Sequence, residues 1–137
     1  MISGAMQKLT WVMVSTLAMA TAAHAGGDKW IDGKVSYKFA GVDGKFAKPE
    51  DACKAGVDDL AKHGNKKTFV SVKDGSSSTT LTCVVKESDG ATSELGNTVN
   101  KLLDCPDTTT ARSTDNSGEF SKMRCHCDDK KKGCPKP

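Results

Sequence analysis

Six cysteines, at positions 53, 83, 105, 125, 127 and 134, constrain this chain more than any other feature. In an oxidising compartment an even count in a small chain reads as three disulfides; in a reducing one the same residues read as metal ligands or redox groups. The N-terminus bears on which applies. Lys8 precedes an apolar run from Leu9 to Ala20, and Ala23-His24-Ala25 places small residues at both positions a signal peptidase reads. This pattern predicts a secretory signal over residues 1–25, cleaved after Ala25. A membrane span fits poorly, because the run is about a dozen residues and carries Ser and Thr, whereas a spanning helix needs roughly 20 apolar residues. No cysteine follows the cleavage site, which disfavours a lipoprotein anchor. The short charged segment in front points to bacterial export, periplasmic or extracellular.

Residues 26–137 then form a single domain, and its core needs covalent help. Large apolar side chains are sparse and mostly Val, from Val35 through Leu103. A small core of this kind supplies only a few kcal/mol, and each native disulfide adds roughly 2–4 kcal/mol. Loss of Lys8 with the signal lowers the formal charge from +3 to +2. That is too small, and too interleaved with Asp and Glu, to indicate nucleic acid or an anionic membrane as partner.

The clearest local element is a helix opening at Pro49. Glu50 and Asp51 suit its first turn, Cys53, Val57 and Leu60 share one stripe, and Gly64 ends it. Ser36–Ala40 alternates as a short strand, and Gly41–Gly44 is a turn. Thr68–Lys73 and Thr79–Lys86 are β-branched strands joined by the polar linker Asp74–Ser78, as in a hairpin. Leu81, Cys83 and Val85 share a face, so a Cys53–Cys83 bond stapling helix to sheet is expected. Glu87–Ala91 is a turn around Asp89-Gly90. Ser93–Leu103 reads as a short helix or irregular segment, from the spacing of Leu95, Val99 and Leu102 against the weakening effect of Gly96, Asn97 and Thr98. Asp107–Gly118, with nothing apolar larger than Ala, reads as a long surface loop, and Phe120–Cys127 as the last strand. The tail Asp128–Pro137 is charged and irregular, pinned by Cys134.

Cys125-His126-Cys127 with Cys134 invites a metal reading, and strand geometry opposes it. Alternation turns Cys125 and Cys127 one way and His126 the other, so the donors diverge. A soft copper or zinc site through Cys125 and Cys127, with Met123, is kept as a minor alternative. In the disulfide reading Cys125 and Cys127 bond separately to Cys105 and Cys134. Cys105–Cys125 with Cys127–Cys134 is favoured only slightly over the swap. Catalytic signals are few. His63 and His126, with Lys66 or Lys67, could serve a secreted nuclease or toxin by general acid–base catalysis. Against that, His63 suits a helix C-terminus and His126 an exposed strand face. Serine is abundant, but no Gly-x-Ser-x-Gly or Ser-x-x-Lys activates it, and no Gly-rich phosphate loop follows a strand. No cofactor is implied.

From Tyr37-x-Phe39 through Phe46-Ala-Lys-Pro-Glu-Asp-Ala-Cys53, and on to Cys105-Pro106, the chain resembles a recurring exported bacterial module. In that module an aromatic strand leads to Phe-x-Ser-Pro-Glu-Ala-Ala-Cys and a helix, as in parts of filamentous-phage attachment-type and TspB-like surface proteins. Lys48 and Asp51 stand where the pattern has Ser and Ala, and a long Pro/Gly stalk is missing. The resemblance spans residues 35–106, implies a surface-interaction module and transfers no functional residue.

The reading as a whole is a small exported α+β domain: an antiparallel sheet packed by one main helix, three disulfides, and a protein-binding role without catalysis. A periplasmic inhibitor or immunity-type protein and a surface or phage-interaction module fit alike. Arg124, His126, Lys130, Lys131 and Lys132, with the loop 107–118, are the candidate contact residues, since tethered loops on rigid scaffolds often carry function.

Overall fold

A computed structural model describes residues 29–129, 131 and 133–135. The signal segment expected over residues 1–25 lies outside them, as do Lys130 and Lys132. The described chain is α+β and mostly β, with one helix and two antiparallel sheets. Its elements run β1 (Trp30–Ile31), β2 (Lys34–Phe39), α1 (Pro49–Lys62), β3 (Lys67–Asp74), β4 (Thr80–Glu87), β5 (Thr92–Glu94), β6 (Val99–Asp104), β7 (Thr109–Ser113), a 3-10 turn (Phe120–Lys122) and β8 (Met123–Cys127). No helix among the described residues is long and apolar enough to cross a membrane.

The larger sheet has the order β2-β6-β4-β3, with β5 also pairing β4. Helix α1 forms where its signals place it. Pro49 sits in its first turn with Glu50 and Asp51, Lys62 closes the last turn, and Gly64 leaves at a φ of +82° that disfavours any side chain. Its buried stripe is Ala52, Cys53, Gly56 and Val57. These residues meet Phe39 of β2, Leu81 and Cys83 of β4, and Val99 of β6, with Tyr37, Val42, Phe46, Phe69, Val72 and Leu95 packed around them. The Cys53–Cys83 bond runs through the middle of this cluster, both residues fully buried. Helix and sheet approach so closely at Gly56 that there is no room for a side chain.

Three segments differ from the sequence expectation, the shortest being Phe120–Lys122, a 3-10 turn at the start of the expected last strand. Ser93–Leu103 is no helix: it holds the end of β5 and most of β6. Gly96, at a φ of +72°, breaks the chain, and Val99 is fully buried opposite both Phe39 and Leu81. Bonding to a strand on each side outweighed a spacing that happened to look helical. The supposed loop 107–118 contains β7, which pairs with β8 from Thr109↔Cys127 to Ser113↔Met123. No large apolar side chain is needed there, because the inward Ala111 faces Cys125.

Strand β8 begins at Met123 after the 3-10 turn and belongs to the smaller sheet, ordered β1-β8-β7. Cys125 and Cys127 turn inward and are buried. They bond to Cys105 and Cys134 respectively, which settles the pairing left open by the sequence. No free cysteine remains, and three disulfides suit an oxidising, exported environment.

Candidate functional site

The outward face of β7–β8 is built by the same alternation that buries the cysteines. Residues Thr110, Arg112, Arg124 and His126 point away from Cys125 and Cys127, with Arg112 directly opposite Arg124 and Thr110 opposite His126. Directly opposed like charges repel, so this pair needs counter-charges. Asp128 and Asp32 supply them. Asp128 Oδ1 lies 3.5 Å from an Arg112 terminal nitrogen and 2.9 Å from His126 Nδ1, and the Thr110 hydroxyl donates to Asp128 Oδ2. Arg124 Nε donates to Asp32 Oδ1 at 3.1 Å. The Asp128 carboxyl is held below its ordinary range, first by the Thr110 hydroxyl and then by the His126 ring.

Each guanidinium spends little of its donor capacity on these contacts, and a planar fork has five N–H groups to offer. The result is a strip with both signs of charge and many directed donors. Arginine on a well-anchored surface is among the residue types that most often dominate protein interfaces. The anchoring is covalent: Cys105–Cys125 holds the inner side of β8 and Cys127–Cys134 its C-terminal end.

The candidate residues named from sequence meet different fates. Arg124 and His126 lie together on this strip. Lys131 sits in the turn between Asp129 and Gly133, inside the loop closed by Cys127–Cys134; its backbone N–H donates to Asp129 Oδ1 at 2.9 Å. Arg112 falls inside the candidate loop 107–118, but its place on a strand opposite Arg124 does not follow from the loop reading; the run Thr108–Thr110 of β-branched residues is the available signal.

The elements needed by the rival readings are arranged differently. His63 follows α1 and is exposed, with Nδ1 2.9 Å from the Asp59 carbonyl oxygen, whereas His126 sits on the smaller sheet against Asp128. No hydrogen bond or ion pair joins the two histidines among the described residues. The Cys125 and Cys127 sulfurs are committed to disulfides and are not thiolate donors. Among the described residues, no group of three His, Cys, Asp or Glu side chains is placed to hold a metal.

A second feature is a cleft of about 590 Å³ between the β3–β4 hairpin tip and the 3-10 turn, lined by Asp74 to Ser78, Thr80, Leu81, Lys101, and Glu119 to Ser121. Comparison with known proteins returned no matching family model, no matching curated protein and no matching solved structure.

Proposed function

We propose that this protein is an exported, non-catalytic binding module that engages a protein partner through the β7–β8 face. The observation that carries the reading is the strip Thr110–Arg112–Arg124–His126, in register on a ribbon fixed by two of the three disulfides. Pre-fixing side chains lowers the entropy cost of ordering them on binding. An inhibitor or immunity-type role and a surface or phage-interaction role use such a strip equally well, and the resemblance of residues 35–106 to TspB-like modules favours the latter setting.

Site-specific photo-crosslinking in the exporting bacterium tests it. A benzophenone amino acid replacing Thr110 or Arg124 is expected to trap one discrete protein adduct, and the same group at Asp58 on α1 is not. Arg112→Ala with Arg124→Ala should reduce adduct formation from position 110 at least tenfold. Equal labelling from position 58, or no adduct from the ribbon, refutes the reading. So does nuclease activity in purified protein that His63→Ala or His126→Ala abolishes.

A further inference from the structure

The cleft beside the hairpin tip lies apart from the β7–β8 strip, and its construction differs from that of an ordinary loop. Sequence brings together two pieces 42 residues apart: the Phe120 N–H donates to Ser78 Oγ at 2.9 Å. The hairpin tip is clamped from a third segment. Asn97 accepts from the Ser76 N–H at 2.9 Å and donates to Ser76 Oγ at 2.7 Å. Gly75 has to be glycine, since a Cβ there would stand 2.5 Å from Asn97 Oδ1 and 2.6 Å from Thr80 Oγ1. Side chains thus hold this rim in place before any ligand arrives.

The lining chemistry is specific. The half-buried Phe120 ring forms an apolar wall, and Lys101 Nζ stands 5.0 Å from its centroid. Strand register puts Asp74, Leu81 and Lys101 on one side of the sheet: Asp74 faces Leu81, Leu81 faces Val99, and Lys101 follows Val99 by two. Glu119 precedes the aromatic ring on the opposite wall. The cleft therefore offers one aromatic surface, two carboxylate acceptors, one ammonium donor and a row of hydroxyls. One cation against two carboxylates disfavours a phosphate or other anion, and the ammonium over the ring disfavours an amine. A ligand with an apolar face and a rim of neighbouring hydroxyls satisfies every group. The volume lies within the roughly 300–1,000 Å³ range of small-molecule sites.

We propose that this cleft binds a saccharide. On binding, the C–H face of one sugar ring takes the place of the Lys101 ammonium over Phe120, the displaced ammonium donates to a ring or hydroxyl oxygen, and Asp74 and Glu119 accept from ring hydroxyls. This inference stands independently of the protein partner proposed for the β7–β8 face.

Amide chemical shifts of the isotopically labelled, disulfide-intact protein provide the test, with glucose, N-acetylglucosamine, cellobiose and chitobiose as probes. At least one of these is expected to move amides of residues 75–81 and 119–121 together, with half-saturation on the order of 1–10 mM for an open site. Phe120→Ala should weaken that binding at least tenfold. Phe120→Trp should preserve or tighten it, and Asp74→Asn should weaken it without changing the fold seen in the other amides. Depletion of the protein by insoluble cellulose, chitin or peptidoglycan, in addition to the shifts, would identify a polymeric glycan as the source; shifts with no depletion would identify a free sugar. The proposal is overturned if no probe moves those amides, if Phe120→Ala leaves the titration unchanged, or if cyclohexylamine moves them and no sugar does.

Discussion

Replacing Gly56 by Ala should destabilise the protein even though it improves the helix. In an unobstructed helix interior the change is favourable by about 1 kcal/mol, because alanine restricts the unfolded chain and favours helix. At Gly56 the new Cβ would stand 2.2 Å from Phe39 Cδ2, 2.3 Å from Cε2 and 2.4 Å from Cγ. Carbon atoms in contact rest near 3.5–4.0 Å, so ring and helix must part by roughly 1 Å or more. The ring cannot simply swing away, being 7% exposed and packed among Ala52, Cys53, Leu81 and Val99. Overpacking of a tight core costs about 1–3 kcal/mol, and a clash against three ring atoms belongs at the upper end. Subtracting the propensity gain leaves a net loss of about 1–2 kcal/mol, which lowers Tm by roughly 4–9 °C in a domain of this size. Circular dichroism followed through heat and urea, with disulfides intact, measures both quantities. Ala61→Gly on the exposed side of α1 serves as control and should cost about 1 kcal/mol from propensity alone. In a Phe39→Leu background the Gly56→Ala penalty should shrink, which a double-mutant cycle reads directly. A Gly56→Ala protein as stable as the parent, or more so, would mean that α1 does not sit on Phe39 and would falsify the packing described above.

Chain-entropy arithmetic ranks the staples: a 30-residue separation makes Cys53–Cys83 worth about 3.5 kcal/mol, against about 2.5 kcal/mol for the 7-residue Cys127–Cys134 loop. Paired Cys→Ala variants should therefore lower the urea midpoint in that order, and the reverse order would contradict it. Acid should also weaken the fold in a traceable way. The Lys67 ammonium, then the Ser93 hydroxyl, hold the Glu87 carboxyl below its ordinary 4.5, and the Lys45 ammonium holds Asp104 below 3.8. The Ser36 hydroxyl, buried beside Asp104, adds to that shift without meeting full hydrogen-bond geometry. A carboxylate with a depressed folded pKa contributes fully above its unfolded value and loses that contribution as pH falls through the folded value. Stability should thus be level down to about pH 5 and fall below it. Glu87→Gln should flatten the fall, and an unchanged pH slope would show that the Lys67–Glu87 pair has no part in it.

What was legible in the sequence depended on whether local and long-range preferences agreed. At α1 they did: Pro49, the acidic first turn, the Cys53–Val57 stripe and Gly64 all favour one helix, and the burial of Ala52, Cys53 and Val57 follows. Cys53–Cys83 was readable for the same reason, each cysteine already assigned to an inward face. At β6 they conflicted. Gly96-Asn97-Thr98 made the neighbourhood look irregular, and nothing local announces that Val99 will be hydrogen-bonded between β2 and β4. At β7 the usual signal was missing altogether. A strand normally reveals itself by the apolar side chains it buries, and here Ala111 needs only to cover Cys125. Without β7, Arg112 is only one residue of a candidate loop, and the register that pairs it with Arg124 is lost. The cleft was illegible on similar grounds, because Ser78 and Phe120 stand 42 residues apart and meet only through the tertiary fold.

The way the smaller sheet is attached is compatible with the binding role proposed for its outer face. Cys125 is seated beside β6 at a point where Gly33 leaves no space: a Cβ there would stand 2.6 Å from the Cys125 Sγ, 2.7 Å from the Asp104 carbonyl oxygen and 2.9 Å from Leu103 Cδ1. The seam thus rests on close backbone approach and the Cys105–Cys125 bond, with little demand for a layer of large apolar side chains. A strand held by hydrophobic burial must keep every second residue apolar and large, which ties its sequence to the fold. A strand held by a disulfide needs only the cysteine and a small neighbour. Ala111, Cys125 and Cys127 meet that need on the inner side of β7–β8, while on the outer side positions 110 and 112 are exposed and 124 and 126 are half-buried beside their carboxylate partners. On the proposed binding role, the exposed positions 110 and 112 can change with the partner while the framework stays intact. Substitution at positions 110 and 112 should therefore alter binding, on that role, while changing the unfolding free energy by no more than about 0.5 kcal/mol per site, the range of ordinary surface substitutions.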